Sequence, residues 1–390
     1  MTHLIYKHLK QNPQDFIVKE VLPDDFLKKE GRFVVYKLKK TNLSTLQVIR
    51  YLSNKLKILP SQIGFAGLKD KYAITTQYIT IPEEYKLEDF CLGKTSRGWI
   101  YVNEILQKKP SFCIKKIGKS DKPLSLGDNK GNIFTITLRS INKDLGRKIY
   151  QNLEIISKYG FANYFGEQRF GSVKARNDFI FKYFLEEKIE KGLKTYFSIK
   201  YSLKNWGKWE DFYKDIKSIA ESYEKDLVLG LKRGLSFEKA VRILPKNIRL
   251  MFNFAYQSFL WNETLRLYIE QKYPYKRVRF IHNWKLGFYL EVFDFEKLKN
   301  LKIPYTGKKL NFPEKDLKNV FKQVLKNYNV KEEWFEKEVI GIKAFTDGER
   351  NAICIPKNIK VISKDKNKLK IRFFLNKGSY ATVFIRKLLM

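Results

Sequence analysis

The run NIKVISKDKNKLKIRFFL, residues 358–375, decides the fold class. In its second half Leu369, Ile371, Phe373 and Leu375 alternate with Lys370 and Arg372, the mark of a strand with one buried face. NIKVISKD precedes it across a polar turn at Lys366, Asn367 and Lys368, so the two runs read as a hairpin. GSYATVFIRKLL then reads as a closing helix with Ser379 as its cap. The hairpin matters because of what comes before it. From about residue 175 to 345 the pattern is helical, in FIFKYFLEEKIEKGLKTY, WEDFYKDIKSIAESYEKD and LMFNFAYQSFLWNETLRLYIEQ. Strand signals there are short pieces such as KLGFYLEVFDF.

The beginning of the chain is mixed. FIVKEVL (16–22), RFVVYKLKK (32–40), TTQYITI (75–81) and GNIFTITLRSI (131–141) read as strands. Leu46, Ile49, Leu52 and Leu56 recur at helical spacing, with Ser44 as N-cap and Pro60 as the stop. Leu145, Ile149, Leu153 and Ile156 mark a second helix, with Gly160 where a C-terminal cap belongs. Mixed, then helical, then β-rich once more: the economical reading is an α+β fold. A mixed or antiparallel sheet core, residues 1–165 and 346–390, is interrupted by a mostly helical insertion, residues 166–345.

Lys and Arg outnumber Asp and Glu by 77 to 41 in 390 residues, a net charge of +36. Fold does not require that excess. It implies a polyanionic partner, since a basic surface attracts phosphates and releases their counterions. A lysine-rich proteome is the plain alternative. No apolar run reaches the roughly 18 residues of a membrane span. MTHLIYKHLKQNPQDF lacks the apolar core of a signal peptide, so a soluble, cytoplasmic chain is expected. Cys91, Cys113 and Cys354 are far apart and odd in number, which predicts neither a disulfide framework nor a zinc cluster. The only histidines are His3, His8 and His282, so a metal centre or a histidine triad is not expected. A carboxylate, a lysine or a hydroxyl must carry any chemistry.

Four segments could do so. GFAGLKDKYAITTQ (64–77) holds Asp70 between Lys69 and Lys71 in a glycine-bearing loop ahead of a strand. It lacks the GxxxxGK[ST] spacing of a phosphate loop. Nearby cations favour an ionised carboxylate, which serves as a nucleophile or base. On local physics alone a solvated surface turn is the favoured reading. NYFGEQRFG (163–171) offers Asn163, Tyr164, Gln168 and Arg169 for base stacking and phosphate contact, or simply a packed domain junction. In GNIFTITLR, Asn132 and Phe134 share a strand face and Arg139 falls on the other. Taken alone, Phe134 reads as a core residue. Lys10, in LKQNPQDF, reads as an ordinary solvated charge.

Together and in this order, these segments resemble the TruD family of tRNA pseudouridine synthases. GFAGLKDKYAITTQ resembles the family's AGxKDxxAxTxQ signature, and NYFGEQRFG its second signature. GNIFTITLR and LNKGSYATVFIRKLL resemble two further segments. Ala162 stands where the family commonly has Pro. The resemblance implies a pseudouridine synthase core with an insertion domain, acting on uridine 13 in the D-arm of tRNA. It implies Asp70 as catalytic aspartate, Lys10 as the cation that holds it ionised, Phe134 stacked on the target base and Asn132 beside it. A phenylalanine has no proton to exchange, so Phe134 is not a general acid or base. Lys69, Lys71, Arg139, Asn163, Tyr164, Gln168 and Arg169 are the candidate RNA contacts. Isomerisation is redox-neutral, so no cofactor or metal is expected, and a monomer is. The rival readings are the same chemistry on another structured RNA, or a catalytically silent RNA-binding or assembly factor. A DNA-binding protein is disfavoured, since no zinc-finger, basic-zipper or helix-turn-helix signal is present.

Overall fold

The computed structural model describes residues 7–175 and 178–390. His3 lies outside them. The chain divides into two compact units, one built from its two ends and one spanning Phe161–Ile353. The sequence boundaries of 166 and 345 fall inside the second.

The first unit carries a ten-stranded mixed sheet. In chain order its strands are β1 (Phe16–Val21), β2 (Phe33–Thr41), β3 (Gly64–Phe65), β4 (Ile74–Pro82), β5 (Phe90–Thr95), β6 (Gly98–Tyr101), β7 (Ser111–Ser120), β8 (Gly131–Arg139), β9 (Lys357–Asp365) and β10 (Lys368–Asn376). Their order across the sheet is β9-β10-β8-β1-β4-β2-β7-β5-β6, with β3 also on β4. The hairpin β9–β10 pairs antiparallel to β8 from Lys368↔Arg139 to Asn376↔Gly131. The end of the chain is therefore built into the sheet begun by its first residues. Among the described residues three α-helices complete the unit: α1 (Thr45–Leu56), α2 (Lys143–Tyr159) and α3 (Ala381–Leu388).

Ser44 caps α1 reciprocally: its hydroxyl accepts from Gln47 N, and Gln47 Oε1 accepts from Ser44 N. The helix ends at Lys57 in the left-handed conformation, before Pro60 is reached. Its buried face is Val48, Ile49 and Leu52, packed on Val34, Tyr36 and Leu38 of β2 and Ile79 and Ile81 of β4. Each such side chain contributes about 1.5–3 kcal/mol by leaving water. Leu46, expected on that face, is instead 53% exposed, because Thr45 turns inward and takes its place. Gly160 closes α2 at φ +69°, where a Cβ would meet the Cys354 carbonyl oxygen at 2.4 Å. Asn152 of α2 donates to the Leu388 carbonyl of α3. The cap of α3 is Tyr380, not Ser379, and it caps through no side chain.

One cysteine expectation is overturned. Cys91 and Cys113 form a disulfide. They are 22 residues apart in sequence yet stand directly opposite each other in the β5–β7 pair. Spacing along the chain says nothing about sheet register, which is what brought them together. Cys354 is buried and lies outside the disulfide.

The second unit is mostly helical. FIFKYFLEEKIEKGLKTY forms two helices, Ile180–Leu185 and Ile189–Ser198, separated at Glu187, which adopts a left-handed φ of 61°. Lys246–Lys272 is buried along most of its 27 residues, with Tyr256, Phe259 and Trp261 on different sides. That is the pattern of a helix enclosed by its neighbours. Among the described residues no helix is long and apolar enough to cross a membrane.

Candidate active site

The Asp70 loop leaves the sheet at an unusual junction. β2 pairs with the whole of one edge of β4, from Phe33↔Pro82 to Thr41↔Ile74. The opposite edge is shared. β1 runs parallel to it over Ile17↔Ile74 to Lys19↔Thr76, and β3 runs antiparallel at Gly64↔Thr80 and Phe65↔Ile79. Residues 66–73 connect β3 to β4 across this junction. Between the two neighbours Tyr78 N has no strand partner, and Glu20 supplies the acceptor through Oε2 at 3.0 Å. The other oxygen of Glu20 accepts from Lys69 Nζ, and both side chains are buried, at 0% and 8% exposure.

Several polar groups of the loop are fastened. Gly127 N donates to Ala66 O at 2.9 Å, and Gln77 Nε2 to Gly67 O at 3.3 Å. Lys69 N donates to Thr45 Oγ1, whose hydroxyl donates on to Gln77 Oε1. The wholly buried Lys40 of β2 reaches beneath: its Nζ donates to the carbonyls of Leu43 at 2.8 Å and Asp70 at 2.9 Å. Burial lowers the Lys40 ammonium to about 8, while the charge of Asp70 opposes the drop and Lys69 adds to it. The glycine-bearing loop is therefore a fixed platform, not a solvated turn.

Lys10 donates to Asp70 Oδ2 at 3.0 Å, with the two side chains 14% and 20% exposed. Its ammonium also stands 4.2 Å from the centroid of Phe16. A cation over a ring face gains about 0.5–2 kcal/mol, more as water is excluded. Phe16 meets Phe134 edge-on at 6.0 Å, Phe134 stacks on Phe373 at 5.6 Å, and Phe373 stacks on Phe384 of α3 at 4.0 Å. An aromatic file thus runs from the Lys10–Asp70 pair to the last helix. Phe134 is 7% exposed. Asn132, two residues along the same face, has a buried Oδ1 with no hydrogen-bond partner. Buried acceptors are rarely left so without cause.

Lys10 is brought to Asp70 by the end of β8. Arg139 N donates to His8 O at 3.0 Å, and His8 Nδ1 lies 2.7 Å from Arg139 O. The Arg139 guanidinium grips Asp15 with both Nε and Nη2, and Asp15 in turn accepts from Asn12 N. Lys10 itself adopts φ 59°, a left-handed conformation uncommon outside glycine and asparagine.

The candidate RNA contacts separate by burial. Lys69 is committed to Glu20 and Arg139 to Asp15, so both act inside the fold rather than as free cations. Lys71 is exposed, near the exposed Tyr72 ring. The segment 163–171 lies in the second unit, where it mainly packs. Tyr164 is wholly buried and its hydroxyl donates to Gly287 O at 2.6 Å. Burial pushes its ionisation well above the ordinary tyrosine range. Asn163 donates to Asn351 O and accepts from Arg350. These two are corrected to packing residues, because their polar groups are used within the unit. Gln168 is exposed, and Arg169 lies over the rings of Phe165 and Phe254. Sequence reading missed Glu20, Lys40, Thr45 and Gln77. The signals available were Gln77, which closes the AGxKDxxAxTxQ signature, and a lysine within the β2 pattern at a position due to face inward.

A family model described as TruD, tRNA pseudouridine synthase D, matches residues 2–280 and 295–388. The tRNA pseudouridine synthase D of Aquifex aeolicus is 39% identical over 389 residues, covering 97% of each chain. A probable tRNA pseudouridine synthase D 2 of Methanocaldococcus jannaschii is 33% identical, over 98% of this chain and 91% of its own. The crystal structure of a putative tRNA pseudouridine synthase D from Methanosarcina mazei matches with a TM-score of 0.65 at 26% identity. That match covers 98% of this chain and 93% of the other.

Proposed function

The chain belongs to the TruD family, and from that premise we propose that it isomerises uridine 13 in the D-arm of tRNA with Asp70 as the nucleophile. That it is a tRNA pseudouridine synthase follows from full-length similarity to named members of the family. The finer assignment rests on one observation: the Lys10–Asp70 pair stands on a fastened loop at the head of an aromatic file containing Phe134.

The reaction breaks the bond from C1′ to N1 of uracil and forms one from C1′ to C5. The C5 proton goes to solvent, N1 gains a proton, and no electrons are transferred overall. Asp70 would attack the target nucleoside and be released when the turned base is rejoined. Lys10, donating to Oδ2 at 3.0 Å, would hold that carboxylate in position. Phe134 would lie beneath the base from within the aromatic file, and the buried, unfilled acceptor of Asn132 would meet its polar edge only once the site admits the uracil. The target must be extruded from folded RNA at a cost of a few kcal/mol, offset by stacking and by phosphate contacts to a basic surface.

The test is chemical mapping of pseudouridine in tRNA from cells lacking this protein, complemented with the wild type or with Asp70→Asn. Position 13 should be unmodified in the deletion and restored by the wild type alone. Persistence of pseudouridine 13 in the deletion removes the substrate assignment, and restoration by Asp70→Asn removes the nucleophile.

A further inference from the structure

We propose a second nucleotide-binding site on the sheet face opposite Phe134, at the β9–β10 edge. It would take one nucleotide of the tRNA other than the reacting uridine, and it rests on the tRNA reading above. Side chains alternate along β10. Phe373 faces Phe134, so its neighbours Arg372 and Phe374 face the other way. There they line a cavity of about 650 Å³. Its floor is apolar, from Ile133, Ile362 and the half-buried Phe374. Lys357, Lys360 and Arg372 supply three cations around it.

Two observations describe the site. First, the three cations are exposed, and none has an acidic partner among the described residues. Some lysines of the same unit are paired, as Lys28 with Asp121, Lys119 with Glu83 and Lys130 with Asp24, while among the described residues scattered ones such as Lys29, Lys86 and Lys122 are not; what sets these three apart is that they converge on one apolar cavity. Second, the Phe374 ring lies against the backbone of Gly131. A Cβ at residue 131 would sit 2.2 Å from the Leu375 carbonyl oxygen and 2.6 Å from the Phe374 Cζ atom. Glycine at that place in GNIFTITLR lets the β10 backbone and the Phe374 ring approach β8 closely, so the ring lies beside it.

An aromatic and aliphatic floor beneath a ring of free cations matches a base with its attached phosphate. Inorganic phosphate would leave the floor uncovered, and an apolar ligand would leave three charges unused. A free mononucleotide shares this chemistry. The net charge of +36 and a polymeric anionic substrate favour a nucleotide within tRNA.

The experiment is fluorescence anisotropy with an unmodified tRNA transcript and the full-length protein. It compares the triple variant Lys357→Ala/Lys360→Ala/Arg372→Ala, Phe374→Leu, and a control triple at the exposed Lys29, Lys86 and Lys122. The first triple should weaken Kd at least tenfold and lower the log–log salt slope by about two, as lost phosphate contacts do. Phe374→Leu should weaken Kd several-fold with the slope unchanged, and the control should stay within twofold. Wild-type Kd and slope in the first triple overturn the proposal, as does an equal loss in the control. A parallel titration with adenosine 5′-monophosphate separates the two sources. Saturable binding that the triple variant loses, with tRNA affinity intact, overturns the tRNA assignment. Because binding is read without turnover, loss of tRNA affinity in a protein that made no pseudouridine would uphold this site and sink only the proposed reaction.

Discussion

The Lys40 ammonium donates to the main-chain carbonyl of Asp70 at 2.9 Å, so a wholly buried cation holds the backbone of the residue whose carboxylate Lys10 engages from another side. The acid is gripped at both ends. For the proposed nucleophile this matters, because a loop that moved could not keep the carboxylate positioned, and preorganisation of this kind is where much of an enzyme's rate originates.

Asp70→Asn should preserve the fold, since Lys10 can still donate to the amide oxygen. We predict loss of pseudouridine formation by at least a thousandfold, with tRNA affinity within about threefold of wild type. Single-turnover assays with a radiolabelled tRNA and a filter-binding titration decide it. Appreciable turnover by this variant would count against Asp70 as nucleophile.

Lys40 carries a pH signature. Its folded value of about 8 lies below the ordinary 10.5, so between those pH values the unfolded chain binds a proton that the folded chain does not. Stability from this group therefore falls as the pH drops from 10.5 through 8, by up to about 3 kcal/mol. Denaturation midpoints of wild type and Lys40→Met, compared from pH 7.5 to 10.5, should diverge by that slope. Parallel curves would show that Lys40 titrates normally.

Glu20→Gln keeps an acceptor for Tyr78 N but leaves the Lys69 charge buried and unpaired. The expected destabilisation is about 3–5 kcal/mol. Adding Lys69→Met should recover much of it, because the charge is then gone. Urea titrations of the single and double variants read this directly, and a single variant as stable as wild type would mean the pair is solvated.

Phe134→Leu removes one ring from the file between Phe16 and Phe373. A volume-reducing but apolar change at this site should cost about 1 kcal/mol of stability. If the ring stacks on the target uracil, kcat should fall by more than tenfold while the salt dependence of tRNA binding stays unchanged. An unchanged kcat with the stability loss alone would assign Phe134 to the core.

Much of the architecture was legible because it follows from local chemistry. The alternation in KLKIRFFL, the Ser44 cap and Gly160 each act over a few residues, and each appears where expected. Errors arose where neighbours outvoted local pattern. Leu46 was displaced by Thr45, whose hydroxyl is needed by Lys69 N and Gln77. Cys91 and Cys113 met through strand register, which no spacing encodes.

The sequence by itself determined that an α+β core is split by a helical insertion, that the chain is strongly basic, and that Asp70 sits in a loop between two lysines. Those are properties of composition and of periods of two and 3.6 residues, which are carried along the chain. Only the tertiary structure decided what the two lysines do and which other groups serve Asp70. Lys69 turned inward to Glu20, Lys10 arrived from sixty residues away through the Arg139–Asp15 grip, and Lys40 came up from beneath. The reason is physical: a charge takes its meaning from its distance to other charges and to water, and folding alone sets those distances.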